Sequence, residues 1–166
     1  MRTSYKIFIF CIFCFAFISC DRATKDLAKI NLKDRDAITY FHNTIRLEYV
    51  ENTGAFLSFG ANWSNRVSFW ALTVIPLLIL FGLFVYVINK SRVMNLRDMI
   101  PFALIFSGGI GNIMDRIVFD RHVVDFINVG INEYRTGIFN FADVYVTTGI
   151  LILVFFSLKK QEVGET

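Results

Sequence analysis

The feature that most constrains this chain is a set of four apolar stretches, at residues 5–20, 67–88, 99–114 and 141–158. The second stretch is long enough to cross a hydrocarbon core about 30 Å thick, which takes about 20 residues, and the others need flanking residues to do so. With 55% hydrophobic residues, the chain is more apolar than a soluble domain of this length. We therefore predict a single membrane domain over residues 1–166, an all-α integral membrane protein with four transmembrane helices.

The distribution of Lys and Arg predicts the orientation of these helices. Basic residues precede the first helix, crowd the link between the second and third, and follow the fourth: Arg2, Lys6, Lys90, Arg92, Arg97, Lys159 and Lys160. Because cytoplasmic segments are enriched in Lys and Arg, we expect both termini to be cytoplasmic and the loops 21–66 and 115–140 to lie outside. The net charge of only +3 gives no reason to expect a nucleic-acid partner.

The first outer loop contains a predicted β-hairpin. Residues 38–41 and 45–50 are rich in β-formers, and His42, Asn43 and Thr44 separate them. This pattern predicts a small extracytoplasmic β-rich lip in the first outer loop. The segment that follows contains Asn52, which can donate and accept hydrogen bonds, and Gly54, which permits a tight turn. It is either an ordinary loop or a strand-like edge that grips an extended peptide through main-chain bonds.

Polar residues at the outer ends of two helices form a second group. Asp21 and Lys25 are four residues apart and would share a helical face, either as an ordinary helix end or as a charge pair that braces a site. At the end of the third helix, Asn112, Asp115 and Arg116 are also spaced for one face, where they need partners. We expect Arg116 to pair with Asp115 or another nearby carboxylate, because an isolated guanidinium there would be costly. The glycines that precede them, Gly108, Gly109 and Gly111, are typical of close helix packing in lipid.

Two aspartates lie in strongly apolar surroundings at the predicted membrane edge. Asp125 lies within Val123-Val124-Asp125-Phe126, and Asp143 begins the last apolar stretch. A carboxylate near lipid is costly, so it is a functional candidate. If the two meet, repulsion between like charges would leave one proton on the pair, and the pair would then activate water. The alternative is two unrelated interfacial carboxylates.

Taken together, these motifs resemble signal peptidase II, the bacterial lipoprotein signal peptidase. They occur in the family's order, as Asp21-x-x-Thr24-Lys25, Asn52-Thr53-Gly54-Ala55-Phe56, Gly108-Gly109-x-Gly111-Asn112-x-x-Asp115-Arg116, Val123-Val124-Asp125-Phe126 and Phe139-Asn140-x-Ala142-Asp143. Length and helix layout also fit, so the resemblance covers nearly the whole chain. Two departures are mild: Phe56 follows Ala55 where the family often repeats Ala, and residues 130–137 are more polar than expected.

The resemblance implies an aspartic endopeptidase of the bacterial cytoplasmic (inner) membrane. It would cleave diacylglyceryl-modified prolipoproteins just before the lipidated cysteine, with its active site toward the outer leaflet. Asp125 and Asp143 match the family's catalytic aspartates. The residues that match positions lining or bracing the site are Asp21, Lys25, Asn52, Gly54, Asn112, Arg116, Asn140 and Ala142. The implied partners are prolipoprotein substrates and membrane lipid, with the cyclic peptide globomycin as inhibitor and no obligate protein partner.

No cofactor or metal is expected. Cys11 and Cys14 form a C-x-x-C pattern, but it lies within a membrane helix without a second pair, and His42 and His122 are isolated loop residues. The residues before Cys20 are similar to a lipoprotein signal peptide, although cleavage there would separate Asp21 and Lys25 from their helix, so we expect the first helix to be retained.

Two other functions fit a small membrane protein with acidic residues. A transporter or channel would use the acids as a proton or ion path, and it predicts carboxylates spread through the depth of the helix bundle. A structural subunit would use the polar residues only for packing. In this sequence the acids are concentrated at the predicted outer end, which favours the peptidase.

Overall fold

The computed structural model describes residues 3–55 and 59–164, with side chains as far as residue 159. The elements, in chain order, are α1 (Thr3–Leu32), β1 (Ile38–Tyr40), β2 (Ile45–Asn52), α2 (Asn65–Phe69), a π-helical turn (Trp70–Val74), α3 (Ile75–Lys90), α4 (Leu96–Val118), β3 (Val123–Ile131), β4 (Tyr134–Arg135) and α5 (Phe141–Gly164).

Among the described residues, three helical segments are long and apolar enough to cross a membrane: Thr3–Leu32, Asn65–Lys90 and Phe141–Lys159. The second combines α2, the π-helical turn and α3. Pro76, at the start of α3, has no N–H to donate to the preceding turn, and the wider π-turn lies directly before it. The helix predicted from the third apolar stretch is α4, which is about 35 Å long. It carries charged residues near both ends, and its crossing of the membrane stays a prediction.

The first helix is longer than we predicted, because it continues through residues 21–32 rather than ending at residue 20. Asp21, Lys25, Ala28 and Leu32 are buried, and their spacing is that of one helical face. Ala28 and Leu32 pack against Val124 and Phe126 of β3. The many charges in this segment suggested a loop, but its apolar face is covered by the sheet.

The β-structure also extends beyond the predicted lip. The hairpin of β1 and β2 is confirmed, with Ile38 opposite Leu47. However, β3 and β4 come from the second outer loop, and the four strands form one antiparallel sheet in chain order. In the β2–β3 pair, Val50 lies opposite Asp125 and Asn52 opposite Val123, after an irregularity between Leu47 and Val50. The sheet therefore joins the two outer loops.

The helices pack around an apolar core and are closest where α4 meets α5. The core lies between α1, α3 and α4 and contains Phe10, Cys14, Val87, Met99 and Ala103. A Cβ atom on Gly108 would lie 2.2 Å from the Ala142 carbonyl oxygen, and one on Gly111 would lie 2.7 Å from Asp21 Oδ2. The glycines therefore let α4 approach both the start of α5 and the polar part of α1.

Candidate active site

Asp125 lies in β3, where the sheet meets the helices. It is 3% exposed. Each carboxylate oxygen accepts one amide hydrogen bond: Oδ2 from Asn52 Nδ2 over 2.9 Å and Oδ1 from Asn140 Nδ2 over 2.6 Å. Burial raises the pKa of Asp125 to about 6, and the charge of Asp143 adds to that rise, while the amide hydrogen bonds oppose it.

Asp143 lies in the first turn of α5. Its Oδ2 accepts the backbone N–H of Asn140 over 3.1 Å, and its own backbone N–H donates to Asn140 Oδ1 over 3.1 Å. This reciprocal arrangement is a capping box, which satisfies two N–H groups at the helix start. The second oxygen, Oδ1, accepts from Asn112 Nδ2 over 2.8 Å. The position of Asp143 is thus set by the start of its own helix and by α4.

Asn140 connects the two aspartates. Its Nδ2 donates to Asp125, while its backbone N–H and its Oδ1 bond to Asp143. The side chain is fully buried. Rotating the amide by 180° would place its oxygen against the Asp125 carboxylate, so the network fixes its orientation. Asp125 in β3 and Asp143 in α5 therefore both bond to this one residue.

A buried charge cluster supports Asn112 from the α1 side. Lys25 Nζ lies 2.7 Å from Asp21 Oδ2 and 2.9 Å from Asp115 Oδ2, and it donates to Asn112 Oδ1 over 3.0 Å. Because the Asn112 oxygen faces the ammonium group, its Nδ2 faces Asp143. Asp21 also accepts the backbone N–H of Ala142 over 2.9 Å, which connects α1 to the start of α5.

Asn52 and Arg116 hold the segment that follows β2. Asn52 Oδ1 accepts the Gly54 N–H over 2.8 Å, and Asn52 Nδ2 donates to the Ala55 carbonyl over 3.1 Å. Arg116 Nη2 donates to the Gly54 carbonyl over 2.7 Å, and its Nη1 donates to the Asn112 carbonyl over 3.2 Å. The turn at Gly54 is therefore fixed from both β2 and α4.

Our expectation that Arg116 pairs with Asp115 or another carboxylate was wrong. Among the residues whose side chains are described, no carboxylate forms an ion pair with Arg116. Asp115 instead pairs with Arg22 over 2.8 Å and with Lys25. Adjacent helical residues point about 100° apart, so Asp115 faces α1 whereas Arg116 faces the turn at Gly54.

The structure thus brings all ten predicted site residues into one connected region. The two histidines lie outside it: His42 is in the β1–β2 turn, and His122 Nδ1 lies 2.9 Å from the Phe119 carbonyl oxygen. Sequence reasoning missed Arg22, which pairs with Asp115 and Asp26 and lies over the Phe119 ring. Its spacing from Asp26 was the only signal available. Within the described ranges, no three His, Cys, Asp or Glu side chains are placed to hold a metal ion.

A groove of about 310 Å³ opens beside Asp143. It is walled by the second membrane helix, α4 and α5, and its lining residues include Leu72, Pro76, Ile113, Arg116 and Val146. Apolar side chains form most of this wall, and the polar groups of Asn112, Arg116 and Asp143 converge at one part of it. This arrangement suits an apolar chain with one polar segment.

Long apolar helices around a buried polar site define the class as a membrane protein with a polar site between its helices. The sequence model of Signal peptidase (SPase) II matches residues 13–159. A lipoprotein signal peptidase of Borrelia hermsii is 34% identical over 154 residues, covering 89% of this chain and 88% of the relative. Another, from Clostridium tetani, is 35% identical over 142 residues, covering 85% of this chain and 86% of the relative.

Two solved structures agree with the sequence comparisons. Both are bacterial membrane enzymes determined by the in meso method, at 2.3 and 1.9 Å resolution, with TM-scores of 0.79 and 0.76. They are 28% and 29% identical to this chain, cover 93% and 92% of it, and are themselves covered to 90% and 94%. The chain belongs to the signal peptidase II family, and it is a membrane-embedded peptidase.

Proposed function

We propose that this peptidase cleaves the signal peptide from diacylglyceryl-modified prolipoproteins, on the N-terminal side of the lipidated cysteine, with Asp125 and Asp143 activating water. The observation that carries the proposal is the bonding of both aspartates to one buried residue, Asn140, beside an apolar groove. The names of the relatives, lipoprotein signal peptidases, support the substrate class.

The chemistry follows from a pair of carboxylates that carries one proton. The ionised member accepts a proton from water as the water attacks the scissile carbonyl, and the protonated member donates to the carbonyl oxygen. When the tetrahedral intermediate collapses, the C–N bond breaks and the leaving amine takes up the proton that the first carboxylate accepted from water. The intermediate returns a proton to the second carboxylate as its carbonyl re-forms. The amides of Asn52, Asn112 and Asn140 keep the carboxylates in place, so little reorganisation is needed during the reaction.

The proposed substrate suits the groove. A signal peptide is an apolar segment, and the walls supplied by Leu72, Ile113 and Val146 are apolar. The site lies at the end of the bundle that holds the sheet and the charge cluster, which supports an active site toward the outer leaflet of the cytoplasmic membrane, with both termini cytoplasmic. Globomycin, a cyclic peptide, would compete for this groove.

The transporter alternative is not favoured. A proton or ion path would place carboxylates through the depth of the bundle. The cluster among α1, α3 and α4 is instead apolar, containing Phe10, Val87 and Met99, while the buried acids Asp21, Asp115 and Asp125 lie in the network at one end.

The test is cleavage of a diacylglyceryl prolipoprotein by the purified protein in liposomes, with the product identified by mass. We expect cleavage just before the lipidated cysteine, slower cleavage of the substrate without lipid, and none with Asp125→Asn or Asp143→Asn. Turnover by either variant would remove that residue from the proposed pair. A wild-type protein that leaves the lipidated substrate intact would contradict the proposed function.

A further inference from the structure

We propose that Arg121 is a positioning residue that fixes the start of the second membrane helix against the strand that carries Asp125. This inference rests on the function proposed above, because it gives Arg121 an effect on the substrate groove. Arg121 lies in the turn between α4 and β3, a short distance along the chain from Asp125.

The Arg121 guanidinium bridges this turn to α2. Its Nη1 donates to Asn65 Oδ1, and its Nη2 donates to Ser68 Oγ over 3.0 Å. Ser68 is 2% exposed, so its hydroxyl depends on a protein partner. The Arg121 backbone N–H donates to the Arg116 carbonyl over 2.8 Å, which ties the turn to the end of α4. Arg121 therefore links α4 and the approach to β3 with the start of the second membrane helix.

The backbone of the turn is unusual. Asp120 and Arg121 both lie in the left-handed region, with φ of 47° and 73°. L-residues other than glycine seldom adopt this conformation, and they keep it where surrounding contacts hold them. The hydrogen bonds from Arg121 to Asn65 and Ser68 are such contacts.

The contacts of Arg121 affect the position of one wall of the groove rather than the position of the aspartates. Leu72 and Pro76 line the groove, and they lie about one and two turns beyond Ser68 on the same continuous helix. The groups that hold the aspartates are Asn52, Asn112 and Asn140, whereas the hydrogen bonds of Arg121 go to Asn65, Ser68 and Arg116. Loss of the Arg121 side chain should therefore shift one wall of the groove while the catalytic pair keeps its geometry.

Arg121→Gly is the sharpest variant, because glycine tolerates the positive φ and only the side-chain contacts are lost. With the lipidated substrate we expect KM to rise about ten-fold, the fold-change that corresponds to about 1.4 kcal/mol. We expect kcat to stay within about two-fold and its pH profile to be unchanged. Asp120→Gly, which keeps Arg121, and Arg66→Ala, which removes an exposed arginine of α2, should both leave KM unchanged.

Ser68→Ala tests the same link from the other side. It should raise KM by less than Arg121→Gly does. The two effects should be less than additive, because both variants remove the same hydrogen bond between Arg121 and Ser68. The pair Arg121→Gly and Arg66→Ala should be additive. A purely structural role would lower the melting temperature and the active fraction without this coupling in KM.

A distance measurement decides the proposal independently of activity. Spin labels at Val67→Cys in α2 and Ile131→Cys in β3, both exposed positions, would be placed in a chain whose three native cysteines are replaced. Arg121→Gly should shift or broaden the distance distribution, whereas Arg66→Ala should not. Unchanged distances would overturn the proposal. If the wild-type protein cleaves no substrate, the proposed function fails separately. The spin-label distances then test by themselves whether Arg121 fixes the start of the second membrane helix.

Discussion

At the residue scale, Arg116 shows how a charged side chain can serve two neutral acceptors. Its guanidinium donates to the carbonyls of Gly54 and Asn112. Arg116→Ala would leave the Gly54 carbonyl without this donor, at a cost of about 1–3 kcal/mol, and would free the turn beside Asn52. We expect lower thermal stability in detergent together with lost activity.

Arg97→Ala, at an exposed arginine of the same helix, is the matched control and should change neither stability nor activity. If Arg116→Ala lowered the free energy of unfolding by about 3–5 kcal/mol, the range for breaking a buried ion pair, the conclusion that Arg116 contacts only neutral acceptors would be wrong.

Asp125 gives the site its pH dependence. Its folded pKa of about 6 lies above the ordinary value of 3.8, so the folded protein holds a proton that the unfolded chain releases between these values. Its contribution to stability is therefore full below about pH 4, falls as pH rises to about 6, and is constant above that, a change of about 3 kcal/mol.

Asp125→Asn removes this titration. The difference in melting temperature, wild type minus variant, should therefore decrease from pH 4 to pH 6 and then level off, as measured by thermal unfolding in detergent. Asp36→Asn, at an exposed aspartate outside the site, is the control for the loss of one carboxylate. A flat difference for Asp125→Asn would show that Asp125 titrates normally.

At the scale of elements, the distance between α4 and α5 is set by glycine. Gly108→Ala would place a methyl group 2.2 Å from the backbone oxygen of Ala142, which has no side-chain freedom to move away. The start of α5 carries Asn140 and Asp143, so separating the helices would move both. We expect activity to be lost and stability to fall by about 1–3 kcal/mol.

Gly82→Ala supplies the control, because a Cβ atom there meets no other atom within 4 Å. Replacing a helical glycine by alanine at an open position stabilises a helix by about 0.5–1 kcal/mol. If Gly108→Ala behaved like Gly82→Ala, the close approach of α4 and α5 would be wrong.

The same elements show what the sequence could and could not predict. Hydropathy located the helical cores, because long apolar runs have few other solutions in a membrane. It missed the continuation of α1 to Leu32, because only one face of that segment is apolar and the sheet that covers it comes from elsewhere in the chain. The strand β3 was missed because its partner, β2, is remote in sequence.

The site divides in the same way. Motifs identified Asp125 and Asp143 as candidates, and their catalytic roles stay predictions. Contacts set by helical spacing were predictable, such as the pair of Asp21 and Lys25. Contacts between distant segments were not, and Arg116 was assigned the wrong partner because spacing along a helix does not reveal which neighbouring element each residue faces.

At the scale of the whole molecule, one buried charge cluster joins the first helix to the others. Lys25 is fully buried and contacts Asp21 on its own helix and Asp115 and Asn112 on α4, while Asp21 bonds to the start of α5. Stability of the assembled bundle and the orientation of Asn112 therefore depend on the same ammonium group.

Lys25→Met keeps the length of the side chain but leaves buried Asp21 without a cation, while Asp115 keeps only its pair with Arg22. We expect a loss of about 3–5 kcal/mol in stability, together with lost activity because Asn112 is no longer held toward Asp143. Adding Asp21→Asn to Lys25→Met removes one uncompensated charge, so the double variant should be more stable than Lys25→Met alone.

Lys33→Met is the control: its pair with Glu51 is exposed on both sides, and losing that pair should cost at most about 1 kcal/mol. Thermal unfolding of the four proteins in one detergent makes the comparison. A Lys25→Met protein no less stable than Lys33→Met would show that water or rearrangement compensates the loss of the Lys25 charge, and that the first helix does not depend on this cluster for its place in the bundle.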